Sequence, residues 1–328
     1  MTLDFVKKLF TEDMLQNHVR RVTMCGDVGD PIYCKDYIEI CRYIKSVNPN
    51  IHIFTITNGS HKKPEWWAEL ASVLNDRDVI NFSVDGHDNA SNNLYRVNSN
   101  WDSIMSGIQT VRQHNKAVFL NWAMIVFRFN QDHIESITQQ ARALGMDALQ
   151  VTRSTKFGSK YGGAYGGADD FLEPRAEHIS SSHRYERYTV NLSNRQINNI
   201  DYINHNQQKY FKIREQYQNQ PVTPLCEIGN RGIYVNAEGV IFPCSWTSFP
   251  YTSLTHGNKT IHWPDSFFAK YRQQMNLNNR TFEEIIQDPL WSKCSQGFSD
   301  STKTWVECGQ KCSTHLVDEN YAVGWETN

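Results

Sequence analysis

No stretch of the 328 residues approaches the roughly 18 apolar positions in a row that a membrane helix needs. Charge of one sign is also lacking: 33 Lys and Arg stand against 35 Asp and Glu, for a formal net charge of −2. That balance gives no footing for a polybasic membrane anchor and no clear case for nucleic-acid binding. The opening residues, Met1 to Lys8, alternate charged and apolar side chains, unlike a secretory h-region. Aromatic residues, by contrast, are plentiful at 12%, nine of them Trp, which excludes the composition of a disordered chain. The length suffices for one large domain or two ordinary ones with a real core. These exclusions predict a folded, cytoplasmic protein with no membrane contact.

Cysteine is absent from a long middle stretch, and the eight present fall into two groups. Cys25, Cys34 and Cys41 lie near the front, whereas Cys226, Cys244, Cys294, Cys308 and Cys312 occupy the last third. Without a secretion signal, clustered cysteines favour a metal site over a disulfide framework. Cys34 and Cys41 share a helical stripe with Tyr37, Ile38 and Ile44, so both are expected to pack in the core. Cys25 alternates with Val22 and Met24, which sheet packing explains as well as a ligand contact does.

The first half alternates strand and helix signals. Strands are predicted over 21–25, 51–57, 79–84, 117–127 and 147–152 from their β-branched and aromatic content. Helical stripes fall between them: one around Tyr37 to Ile44, one opened by Pro64 and carrying Trp67, Leu70, Ala71 and Leu74, and one from Trp101 to Val111. Asp132 and Glu135 have capping-box spacing ahead of a further helix with Ile134, Ile137, Ala141 and Leu144 on one face. The chain opens on a helix, expected from Leu3 to Gln16, so a leading strand is missing from the pattern. Such alternation implies a parallel sheet whose ligand chemistry sits in the loops after the strands. Here those loops are Gly26 to Pro31, Asn58-Gly59 and Asp85-Gly86. Asp and Gly are also the ordinary residues of such turns, so Asp30 and Asp85 can equally be loop caps.

Beyond residue 155 the texture changes. Gly158, Gly162, Gly163, Gly166 and Gly167 lie among tyrosines and read as an exposed loop, followed by a polar helix from about Arg195 to Tyr217. Pro221 and Pro224 mark a boundary. The division expected is 1–155 for the strand–helix domain, 156–220 for a linker and 221–328 for a cysteine-rich domain.

In that last domain Ile233-Tyr234-Val235, the turn Asn236 to Gly239, and Val240-Ile241-Phe242 form a predicted β-hairpin. Twelve residues separate Cys226 from Gly239, and four separate Gly239 from Cys244. This pattern resembles the opening signature of the SPASM and twitch extensions of radical S-adenosylmethionine (SAM) enzymes, and Cys308-x3-Cys312 resembles the end of the same extension. The front half resembles that family in order. Gly26-Asp27-Val28-Gly29-Asp30-Pro31 resembles its "GGEP" loop, Thr57-Asn58-Gly59 its "TNG", and Ser83-Val84-Asp85-Gly86 its "S-x-D-G", with Tyr95-Arg96 close behind.

The resemblance implies a partial (β/α)6 TIM-like barrel lacking its first strand, an α/β fold, followed by a small cysteine-rich hairpin domain. It implies SAM bound by Gly26, Asp27, Gly29, Asp30, Pro31, Thr57, Asn58, Ser83, Asp85 and Asn121, the last facing the barrel interior. It implies an auxiliary 4Fe–4S cluster on ligands drawn from Cys226, Cys244, Cys294, Cys308 and Cys312. Structural zinc or buried thiols are the other accounts of those five, since zinc and iron–sulfur sites both use four thiolates. The activity implied is generation of a 5′-deoxyadenosyl radical that modifies a substrate, a peptide or protein being the expected class, with an electron donor such as a flavodoxin or ferredoxin.

One feature of the family is missing: no C-x3-C-x2-C run, the loop that holds the SAM-binding 4Fe–4S cluster, occurs among the 328 residues. The expectation is therefore a chain truncated at its front, or a relative that has lost its radical chemistry and cannot cleave SAM by itself. Two further readings stand beside it: a non-catalytic metal-binding scaffold, and a zinc-stabilised α/β enzyme with unrelated chemistry at Asp30 and Asp85.

Overall fold

The computed structural model describes residues 1–26, 29–154, 157, 171–180, 185–195, 232–248 and 270–293. The chain divides into two compact units, Met1–Asn198 and Asn199–Asn328.

The first unit is built on one six-stranded sheet. Its strands are β1 (Arg21–Met24), β2 (His52–Thr57), β3 (Val79–Ser83), β4 (Phe119–Ile125), β5 (Ala148–Ser154) and β6 (Tyr185–Asn191). They lie side by side in chain order, β1 to β5 parallel and β6 antiparallel to β5. Helices follow the strands: α3 (Tyr37–Val47) after β1, α4 (Pro64–Val73) after β2, α5 (Asn89–Tyr95) and α6 (Trp101–His114) after β3, and α7 (Ile134–Ala143) after β4. Sequential strand order with helical crossovers is the arrangement of a partial α/β barrel.

Strand residues alternate between two environments, as the pleat requires. Val22, Ile53, Ile80, Phe82, Leu120, Trp122, Leu149 and Val151 join the main core with Ile44, Trp67, Leu70, Ile108 and Ile137 from the helices. Phe54, Val79, Phe119 and Ala148 form a separate buried cluster on the other face. Gly107 is required where α6 meets α4, because a Cβ there would lie 2.5 Å from the Trp67 indole nitrogen. Asp78 and Asp147, each just ahead of a strand, brace the opposite edge of the sheet from the candidate loops. Asp78 pairs with Lys45 at 2.7 Å and accepts from the Ile53 amide; Asp147 pairs with Arg112 at 2.6 Å and accepts from the Leu120 amide.

Several local expectations need correction. The opening helix is two, α1 (Leu3–Leu9) and α2 (Glu12–Asn17), because Thr11 caps the second by accepting from the Met14 amide. The capping box at Asp132 and Glu135 does not form: His133 holds the cap position without a side-chain bond, and Asp132 pairs with Arg175 instead. Cys34 lies ahead of α3 on a short turn, half-buried, its Sγ 3.3 Å from the Met1 carbonyl. Cys41 is buried in α3 as expected, whereas Cys25 is exposed rather than packed. β6 and α5 have no counterpart in the predicted elements.

In the second unit, β7 (Tyr234–Val235) and β8 (Ile241–Phe242) pair antiparallel as the sequence hairpin requires. Asn236 shapes the turn: its Oδ1 accepts from the amides of Glu238 and Val240. Residues 275–277 run beside β8, the Ile241 amide donating to the Met275 carbonyl and Leu277 donating to Gly239. Val240, Ile241, Phe242, Met275, Leu277 and Ile285 are buried here. Two short helices, α8 (Phe282–Ile286) and α9 (Pro289–Ser292), complete the described part. Cys244 opens a 3-10 turn just after β8 and is half-buried. Cys226, Cys294, Cys308 and Cys312, together with Asp27, the Gly158 to Gly167 stretch and the predicted polar helix beyond Arg195, lie outside the described residues.

Candidate functional site

The turns after β1, β2 and β3 come together at one edge of the sheet. At the first, Gly26 is obligatory: a Cβ there would sit 1.9 Å from the Gly29 carbonyl oxygen. Gly29, by contrast, faces open space. Asp30 then starts a 3-10 turn at Pro31, its Oδ1 accepting from the Ile32 amide at 3.2 Å. Its Oδ2 accepts from the Asn58 amide at 2.6 Å, so one carboxylate ties the β1 turn to the β2 turn. In the β2 turn, Thr57 Oγ1 accepts from the Gly59 amide and Asn58 Oδ1 from the Ser60 amide. The sequence-predicted residues Gly26, Gly29, Asp30, Pro31, Thr57 and Asn58 therefore form one connected group.

Ser83, at the end of β3, is half-buried and lies opposite Ala123 of β4. Asn121 sits on the face of β4 opposite Leu120 and Trp122, and its amide donates to Asn81 Oδ1 at 2.5 Å. It thus faces away from the helices, with its carbonyl end left over.

Asp85 is different from the rest. Its side chain is 0% exposed; Oδ1 accepts from the Ile125 amide at 2.7 Å and Oδ2 lies 2.6 Å from Arg96 Nε. Burial raises its pKa, and the Arg96 charge and the Ile125 amide oppose the rise. Around it, Asn92 Oδ1 accepts from the amides of both Asp85 and Gly86, and Asn130 donates to the Asp85 carbonyl. Asp85 therefore braces the β3 turn.

Arg96 is one wall of an open cavity of about 580 Å³ between the β2 turn and the end of α5. Tyr33, Asn58, His61, Val97 and Asn98 line it as well. Tyr33 donates to the Ser60 carbonyl at 3.3 Å, and burial, with the nearby Asp30 charge, raises its pKa. On the far side of the β3 turn, the rings of His87 and His133 stack at 3.8 Å, and burial lowers the His87 pKa. The cavity was not foreseen from sequence. The signal available was the run Asn89 to Asn100, dense in Asn and Ser, which cap and turn the chain wherever they occur together.

Residues 1–141 match the Radical SAM superfamily. The matched segment spans β1 to β4 and all three of the turns described above. No curated protein matches the chain. Among solved structures, TYW1 with a lysine–pyruvate adduct bound is similar at 14% identity and a TM-score of 0.31, covering 40% of this chain and 41% of that one. The chain thus spans less than half the length of that protein. Native anSMEcpe with bound AdoMet is similar at 12% identity and a TM-score of 0.42, covering 98% of this chain and 86% of that one. The same protein with bound AdoMet and Kp18Cys peptide gives 11% identity, a TM-score of 0.41, and coverage of 94% and 80%.

A Radical SAM domain implies SAM and a 4Fe–4S cluster. The β1 turn fits the first: Gly26 lies too close to the Gly29 carbonyl to carry a Cβ, and the main chain after it is held by Asp30. The second does not fit the described part of the first unit. Cys41 is buried with its thiol pushed up to about 12 by burial, Cys34 is half-buried, Cys25 is exposed, and no three metal-binding side chains gather among the described residues. No helix among the described residues is long and apolar enough to cross a membrane.

Proposed function

We propose that this chain carries the SAM-holding part of a radical SAM enzyme that modifies a substrate, a peptide or protein being the favoured class. The observation that carries the reading is the coincidence of the superfamily match with three turns, at Gly26, Asn58 and Ser83, converging at one edge of a mostly parallel sheet. In open and closed α/β folds alike, ligands sit outside the carboxyl ends of the strands.

On this reading SAM, once bound and reduced, supplies the 5′-deoxyadenosyl group that abstracts a substrate hydrogen. The chain's own residues bind and orient. Main-chain carbonyls of the Gly26 to Asp30 turn receive the amino group, with Asp30 holding that turn against Asn58. Ser83 and the free end of Asn121 line the inner face of the sheet. The SAM-cleaving cluster is not furnished by these 328 residues, which hold no C-x3-C-x2-C run. An auxiliary iron–sulfur cluster is assigned to the second unit on Cys226, Cys244, Cys308 and Cys312, with Cys294 the fifth candidate, and the hairpin at Tyr234 to Phe242 supports that assignment.

The second reading, a scaffold without catalysis, draws on one observation: Asp30 and Asp85 both spend their oxygens on main-chain amides or Arg96. Anaerobic reconstitution of the chain with iron and sulfide, followed by SAM and dithionite, tests the proposal. The expected result is an iron–sulfur-loaded protein that forms no 5′-deoxyadenosine by itself. A colourless, zinc-loaded protein would refute the auxiliary cluster, and 5′-deoxyadenosine from this chain alone would overturn the statement about the missing loop.

A further inference from the structure

Two imidazoles close the seam between the turn after β3 and the start of α7. The rings of His87 and His133 stack with centroids 3.8 Å apart and planes 18° from parallel. The backbone pins both residues. His87 follows Gly86, where a Cβ would lie 2.2 Å from the Asn92 amide nitrogen, and its own amide donates to Ser91 Oγ at 3.0 Å. Asp88, next in the chain, caps α5 by accepting from the Ser91 amide at 2.7 Å. His133 holds the cap position of α7: its amide donates to the Asn130 carbonyl and its carbonyl accepts from the Ile137 amide, both at 2.9 Å. One further bond joins the same two turns, Asn130 donating to the Asp85 carbonyl at 2.7 Å.

Ring contact this close suits two neutral imidazoles, or one neutral and one charged, and opposes two charges. Like charges at that separation repel by more than thermal energy even in water. Burial and the neighbouring His133 lower the pKa of His87, while Asp88, its carboxylate 3.6 Å from Nε2, opposes them. His87 Nδ1 is buried without a hydrogen-bond partner, so no protein acceptor holds a proton there. Other charges on the adjoining segments are engaged elsewhere. Asp132 pairs with Arg175, Arg175 also with Glu177, and Asp85 with Arg96, while Glu135 accepts from Gln139 along α7. Asp88 thus supports one proton on the pair, and a second meets the repulsion of the first.

We propose that His87 and His133 form an acid-sensitive latch. The stack holds the β3 turn against α7 while the pair carries at most one proton, and it parts when both rings are charged. Parting loosens the turn at Asp85 and Gly86 without unfolding the sheet.

Proton–carbon NMR of the full chain with ring-labelled histidine, titrated from about pH 8 to about pH 5, tests it. His87 and His133 are expected to titrate in two steps at least about one pH unit apart, the mark of interacting sites. His87→Phe keeps a ring in the stack and removes one proton site, so His133 should then titrate in a single step. Hydrogen exchange reads the opening itself. Corrected for intrinsic pH dependence, the Gly86 amide, bound to Asn92, should lose about tenfold more protection on acidification in the parent than in His87→Phe. The Ile53 amide, within the sheet, should respond alike in both proteins. His133→Phe gives the same readings from the other side of the stack, should the first variant fold poorly. Independent titration of the two histidines, or equal loss at Gly86 in parent and variants, would overturn the proposal. A matching difference at Ile53 would make the opening global and overturn it as well.

Discussion

Arg96 Nε lies 2.6 Å from the carboxylate of Asp85, and that carboxylate is 0% exposed. The pair joins the turn after β3 to the end of α5, and the end of α5 is one wall of the candidate cavity. Removing one partner of a buried pair strands the other charge in a low-dielectric interior, which costs about 3–5 kcal/mol. Arg96→Gln is therefore expected to lower unfolding stability by that amount. The double variant Asp85→Asn, Arg96→Gln should recover a large part of it in urea titrations, the double-mutant cycle giving the coupling.

Asp30 holds two turns with one side chain. Its oxygens accept from the amides of Ile32 and Asn58, the second at 2.6 Å. Asp30→Ala leaves both amides without that acceptor, and a loss of about 1–3 kcal/mol is expected. Hydrogen exchange checks the location: the Asn58 amide should lose protection while the Ile53 amide, held by Asp78, keeps its own.

Acid sensitivity is expected from His52. Burial pushes its pKa down to about 2, with the charges of Arg21 and Lys45 adding to the shift. In the unfolded chain a histidine titrates near 6.5. Between these values the unfolded state binds a proton that the folded state lacks, so stability rises with pH by up to about 1.4 kcal/mol per pH unit. The contribution is present in full above about pH 6.5 and is lost as pH falls. His52→Leu should flatten the melting temperature between about pH 6.5 and pH 4.5 relative to the parent.

The front cysteines should separate cleanly under alkylation. Burial raises the Cys41 thiol to about 12, so at neutral pH it carries almost no thiolate, whereas Cys25 is exposed. Iodoacetamide on the native protein, read by peptide mass mapping, is expected to label Cys25 and spare Cys41 until denaturant is added.

Strand–helix alternation was legible because period itself carries it: Ile53 and Phe54 face opposite sides, and Tyr37, Ile38, Cys41 and Ile44 form a buried stripe. β6 escaped notice because Tyr185–Asn191 is polar and antiparallel, an edge strand that need bury only one face. The site was legible as turns but not as roles. Asp85 has the same residue type and turn position as a ligand-facing carboxylate. Arg96, eleven residues later, is what turns its side chain inward, and pairing at that distance leaves no periodic trace. Nor could spacing tell that Asn58, His61 and Asn98 share a cavity, since the fold brings them together from two separate turns.

Equilibrium dialysis of the full chain against SAM, under anaerobic conditions, tests the central claim most directly. The comparison is Ser83→Phe, which places a ring on the inner face of the sheet beside the converging turns. Saturable SAM binding by the parent, lost in the variant while its circular dichroism stays unchanged, is the predicted result. A parent that binds no SAM, or a variant that binds it equally well, would contradict the assignment of those turns.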